Sequence, residues 1–183
     1  MPQVTELLDA SRRGDNAALD RLFELLYEDM RQLAHSRLRR SGNLTLLDTT
    51  ALVHESYLRL IRSGNIEARD KAHFMGYAAH VMRTIVIDFI RRRSADRRGG
   101  DAVHVELDAA TQLPVDPRER EVLQVHEALE RLAAIDAHLA KVVEMRYFAG
   151  MTESEVAEAL DRSVRSVARD WEKARLLLSL QLT

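Results

Sequence analysis

Residues 150–180 read GMTESEVAEALDRSVRSVARDWEKARLLLSL. Gly150 follows an apolar helical pattern, at a point where a helix end favours a residue able to adopt a left-handed backbone. Thr152 and Glu155 have the T-x-x-E spacing of a capping box, in which each side chain satisfies a backbone N–H at a helix start. A short helix follows, with Val156, Ala157 and Leu160 inward. Asp161, Arg162 and Ser163 form a three-residue turn, and Ser163 caps a second helix whose apolar positions are Val164, Val167, Trp171, Ala174 and Leu178. Many such turns have glycine where this chain has Asp161, and aspartate tolerates the left-handed conformation better than most residues. The spacing predicts a helix-turn-helix, with small Ala157 letting the helices cross closely and Val167 packing into their angle.

The opposite face of the second helix is polar. Arg162, Ser163, Arg165, Ser166, Arg169, Asp170, Lys173 and Arg175 lie away from the apolar seam. In a motif of this kind the second helix enters the major groove with its N-terminal residues near base edges. Arginines there can pair in bidentate fashion with guanine, while Lys173 and Arg175 suit phosphates. A plain helical hairpin with a charged exposed face is the other reading of the same residues.

Outward from this stretch, helical periodicity dominates. Leu19, Leu22, Phe23, Leu26, Met30 and Leu33 form a stripe along one helix face. Leu52, Val53, Ser56, Tyr57 and Leu60 repeat the pattern, with Asp48, Thr49 or Thr50 as N-cap. Phe74, Tyr77, Ala78 and Val81 form another stripe, continued by Val86, Phe89 and Ile90. Leu123, His126, Leu129 and Leu132 suggest a helix, and Leu139, Val143 and Tyr147 a further one. The brief alternation of residues 103–107 (VHVEL) is short and isolated. The fold class expected is all-α. Residues 94–116 lack helical periodicity and contain Gly99, Gly100 and Pro114, so they read as a flexible linker. The expected organisation is a helical bundle over 1–93, a linker over 94–116, and a second bundle over 117–183 that contains the helix-turn-helix.

Composition narrows the function classes. The chain of 183 residues has 46% hydrophobic and 31% charged residues, ordinary for a globular protein. It has no cysteine, which excludes disulfides, thiolate metal sites and a cysteine nucleophile. No apolar run reaches the ~20 residues that cross a bilayer, and the N-terminus does not read as a signal peptide, so a cytoplasmic location without membrane insertion is expected. Net charge is −2, yet the charges are segregated. Six arginines face two acids between Arg83 and Arg98, nine acids face three arginines between Asp101 and Asp136, and a second basic island lies between Arg162 and Arg175. The acidic linker, with Asp101, Glu106, Asp108 and Asp116, is expected either to follow a basic channel in a partner or to mask the basic islands in the free protein.

Residues 74–93 read FMGYAAHVMRTIVIDFIRRR. The pattern predicts an aromatic-bearing helix, a break around Met82, Arg83 and Thr84, and a helix ending in three arginines. Rings beside cationic side chains are what single-stranded nucleic acid binding requires, since bases stack on rings and phosphates meet arginine. Phe74 and Tyr77 at helical spacing equally suit a core. These residues, with ALVHESYLRL (51–60) and GMTESEVAEALDRSVRSVARDWEKAR (150–175), resemble the sigma factors of the extracytoplasmic-function group, which keep conserved regions two and four of the housekeeping type. The resemblance covers nearly the whole chain, with the motifs in the same order.

The resemblance implies a sigma factor that binds core RNA polymerase and directs promoter-specific transcription initiation, with promoter DNA and possibly an anti-sigma or other regulatory protein as partners. It implies that the 52–60 helix docks on the polymerase through Asp48, Leu52, His54, Glu55 and Arg59. It implies that Phe74, Tyr77, Met82, Arg83, Thr84, Asp88, Arg91, Arg92 and Arg93 serve the minus-ten element as melted strand, with Met82, Arg83 and Thr84 capturing a flipped base. Extruding a base costs a few kcal/mol, so a dedicated pocket is needed to trap it. The C-terminal residues named above would read the minus-thirty-five element as duplex. The chain departs from the family's usual acidic approach to the polymerase helix, having LLDTT at 46–50, and has AAH at 78–80 where larger residues are common.

Two other classes compete. A conventional helix-turn-helix regulator would bind operators and never engage polymerase. An enzyme finds little support: His54–Glu55 lacks a second histidine four residues on, His73 and His80 have no third ligand, and no phosphate-cradling glycine loop or G-x-S-x-G occurs. No catalytic residue, metal or cofactor is expected.

Overall fold

The computed structural model describes residues 2–40, 47–63, 66, 68–99 and 117–182. These form eight α-helices and one π-helical turn, and no strand occurs among the described residues, as the periodicity predicts. The elements are α1 (Pro2–Arg12), α2 (Asn16–Arg40), α3 (Thr49–Ser63), α4 (Lys71–Gly99), α5 (Pro117–Ile135), α6 (Ala137–Val143), the π turn (Glu144–Phe148), α7 (Glu153–Ala159) and α8 (Val164–Leu182).

Short polar side chains set many of the helix starts, because the first N–H groups of a helix have no partner within it. Asp15 accepts from the Ala18 amide, Asp48 from Ala51, Asp70 from His73 and Asp136 from Leu139. Of the three residues that could cap α3, Asp48 does so, at 2.7 Å. Thr152 and Glu155 form the reciprocal capping box expected of them.

The leucine stripe of α2 is buried along its length, against Leu52, Val53 and Leu60 of α3 and Phe74, Ala78 and Met82 of α4. Each fully buried side chain of this size contributes roughly 1.5–3 kcal/mol, whereas an exposed ion pair contributes roughly 0–1 kcal/mol. Apolar burial therefore holds the first four helices together. The one hydroxyl in their seam, Ser56, donates to the Leu52 carbonyl at 2.7 Å.

Helix α4 is the axis of the molecule. It contacts α2 and α3 on one side and α5, α7 and the π turn on the other. The break expected around Met82, Arg83 and Thr84 is absent, for three reasons. The segment contains no glycine or proline, Thr84 returns its hydroxyl to the His80 carbonyl at 3.0 Å, and Met82 and Arg83 are both buried. The helix also continues through 94–99, where no periodicity was expected, with Ser94 buried. The remaining linker positions, including VHVEL, Gly100, Pro114 and the acids at 101, 106, 108 and 116, lie outside the described residues.

The helix expected from Leu139, Val143 and Tyr147 is interrupted. After Val143 the chain widens into the π turn, so Tyr147 is 47% exposed while Glu144, Met145 and Phe148 are buried. Gly150, at φ +72°, then redirects the chain into α7.

Candidate nucleic-acid interface

Helices α7 and α8 are joined by a tight turn whose conformation follows from local chemistry. Asp161 has φ 52°, the left-handed conformation expected at that position. The Arg162 amide reaches back to the Ala157 carbonyl at 2.9 Å, and the Ser166 amide donates to Ser163 Oγ at 3.1 Å. Ala157 and Val167 are buried together with Val142, Met145, Met151, Val156 and Ala159. Leu160 and Trp171 are partly buried against that cluster. Val164, expected inward, is instead exposed, because it lies in the first turn of α8 beyond the reach of α7.

The polar face of α8 is not uniform. Arg162, Ser163, Arg165 and Arg169 are exposed, and the three arginines make no ion pair among the described residues. Ser166 is half-buried. Lys173 lies 3.7 Å from Asp136, and Arg175 lies 3.2 Å from Glu172, both with largely exposed side chains. Asp170 is turned inward to His138 Nε2 at 3.0 Å. Behind the turn, Arg146 donates to the Met151 carbonyl at 2.8 Å and stands 5.5 Å from the Trp171 ring centroid, which fixes α7 against α8.

On α4 the expected residues separate into two groups. Phe74 and Met82 are wholly buried; Phe74 packs edge-on to Phe23 at 6.1 Å, so it serves the core and offers no face to a base. Tyr77 and Thr84 are half-buried, and Arg91 and Arg92 are exposed. Arg93 stands 3.7 Å from the buried carboxylate of Glu119. Asp88 is paired with Arg59 of α3 at 2.6 Å.

Arg83 is the most enclosed of them. Its Nε donates to Glu144 Oε1 at 2.5 Å, and its Nη2 donates to Glu130 at 3.1 Å. Nη1 meets His126 Nδ1, and His80 lies beside the same carboxylate. Burial pushes the Glu144 carboxyl up, but the His80 hydrogen bond and the guanidinium groups of Arg83 and Arg37 outweigh it and hold it below its ordinary value. Burial, then Arg83, lowers His126. Glu144 was not singled out from the sequence. A lone acid in the apolar run VVEMRYF was the available sign, and its partner lies 61 positions away.

On α3, Leu52 is fully buried and packs against the core, while Asp48 and His54 are exposed and Glu55 and Arg59 are half-buried. Glu55 lies 3.8 Å from Arg59. Leu58 and Ile61, 42% and 39% exposed, share that outer side with His54 and were missed because the periodicity assigns apolar residues inward.

Among the described residues no group of three or more His, Cys, Asp or Glu could hold a metal ion, and no helix is long and apolar enough to cross a membrane. Among curated proteins no relative matches the chain. A family model described as ECF sigma factor matches residues 1–183.

Proposed function

Since this chain belongs to the ECF sigma factor family, we propose that its helices divide promoter reading between them, one set holding melted minus-ten strand and the other probing minus-thirty-five duplex. ECF sigma factors act with RNA polymerase in promoter-specific initiation, and their partners are core polymerase, promoter DNA and anti-sigma factors. In this reading residues 1–93 engage polymerase and the minus-ten element, 94–116 tether, and 117–183 engage the minus-thirty-five element.

The observation that carries the proposal is the capped turn before α8, which presents Arg162, Arg165 and Arg169 without internal partners. A helix N-terminus with unpaired arginines suits major-groove base edges, and neighbouring Lys173 and Arg175 suit phosphates. On the other set, exposed Arg91 and Arg92 supply the cationic track, with half-buried Tyr77 and Thr84 on the same helix. Asp48, His54, Glu55 and Arg59 form the polymerase-facing side of α3. Leu52, Phe74 and Met82 support these surfaces from within the core, and Asp170 positions α8.

Run-off transcription with purified core polymerase tests this. The chain is expected to confer initiation from a cognate promoter that core enzyme alone ignores. Failure to bind core polymerase would overturn the reading.

A further inference from the structure

The arginines on α4 that turn toward α5 and the π turn are met there by acids. Arg83 is closed in by Glu144 and Glu130, and Arg93 stands by Glu119. The charge segregation of the sequence thus becomes an internal pairing, with a basic helix from the first half of the chain covered by acids from the second.

Three further contacts cross the same boundary. A Cβ at Gly76 of α4 would meet Met145 of the π turn at 3.0 Å, so the close approach depends on the missing side chain. The Phe148 ring has the Arg37 guanidinium 4.0 Å from its centroid. A cleft of about 500 Å³, lined by Tyr77, His80, Arg83, Glu130, Lys141 and Glu144 among others, opens along the seam.

We propose that Glu144 is an autoinhibitory latch: by holding Arg83 it closes the second half of the chain over α4 and keeps that helix from nucleic acid until the pair is broken. This regulation of the minus-ten surface rests on the function proposed above. The pair suits a latch because a buried ion pair gains little net stability, its Coulombic attraction being offset by lost hydration. Glu144 Oε2 has no hydrogen-bond partner among the described residues, so the carboxylate is only half satisfied. A closure of this kind yields to a competitor that offers Arg83 a phosphate.

The absence of cysteine allows the test in the full chain. Fluorophores on Arg62→Cys of α3 and Ser154→Cys of α7, both exposed, report separation of the halves by energy transfer. Glu144→Gln and, independently, Gly76→Leu should each create a lower-transfer population absent from the parent. Each should also tighten binding of a single-stranded minus-ten oligonucleotide by about tenfold, since removing a closed state raises the competent fraction. The exchange Arg83→Glu/Glu144→Arg should restore the high-transfer state. Helical circular dichroism identifies any variant that fails to fold, in which case the other decides. Unchanged transfer in folded Glu144→Gln and Gly76→Leu overturns the latch. Opening without tighter oligonucleotide binding overturns autoinhibition, and run-off transcription by the parent then shows whether the sigma function stands without it.

Discussion

Asp170 Oδ2 on α8 lies 3.0 Å from His138 Nε2 on α6, with only 14% of the aspartate side chain exposed. An acid on the face expected to meet DNA therefore anchors the helix that carries that face. Asp170→Ala is expected to lower stability by about 1 kcal/mol or less, as for a pair that solvent still reaches. It should weaken duplex binding equally across promoter variants, with base preference unchanged. Competition binding against single-base promoter variants, beside a urea melt, checks both.

Arg165 and Arg169 are expected to behave differently. If either reads a base, its alanine variant loses about 1–3 kcal/mol of discrimination at one promoter position. If it grips phosphate, binding weakens uniformly and the dependence of affinity on salt becomes shallower by about one ion. Titrations at several salt concentrations separate the two outcomes.

The turn before α8 has a measurable cost of disruption. Thr152→Ala removes the cap accepted by the Glu155 amide at 3.2 Å and should cost about 1 kcal/mol. Gly150→Ala, at φ +72°, should cost roughly 1–2 kcal/mol because a side chain clashes in that conformation. The two effects are expected to show in the midpoint of urea unfolding.

Acid should loosen the seam in two stages. His126 is held below its ordinary 6.5 by burial and by Arg83, with Glu130 and Glu144 opposing and Arg91 adding to the effect. The folded protein thus favours the neutral ring, and that stability is present above pH 6.5 and lost as pH falls through the lowered value. Glu144 is held below 4.5, so its contribution is present above that value and disappears as pH falls through the lowered one. His126→Gln should abolish the first stage and leave the second. Energy transfer between the halves, followed from neutral to acid pH, reads both.

The local chemistry of the fold was legible. Thr152 and Glu155, Asp161, Gly150 and the leucine stripe of α2 are each determined by neighbours within a few positions, and each adopts the conformation that its spacing implies. What escaped was long-range. Met82, Arg83 and Thr84 have no feature that distinguishes a helical path from a broken one except their partners, and Glu144 is 61 positions from Arg83. Leu52 and Phe74 were placed on working surfaces although they follow the apolar period, and their complete burial assigns them to the core. Asp170 escaped in the same way, since His138 is 32 positions distant.

The π turn at Glu144–Phe148 makes the chain sensitive to its own reading frame of side chains. Deleting one residue there would let a regular helix run on and rotate everything beyond it by about 100°. The sequence would lose one amino acid and no charge, yet Phe148 would swing away from Arg37 and the outward arginines would point elsewhere. Homologous chains with a different count at this point would be expected to aim their last helix differently, even with every arginine retained.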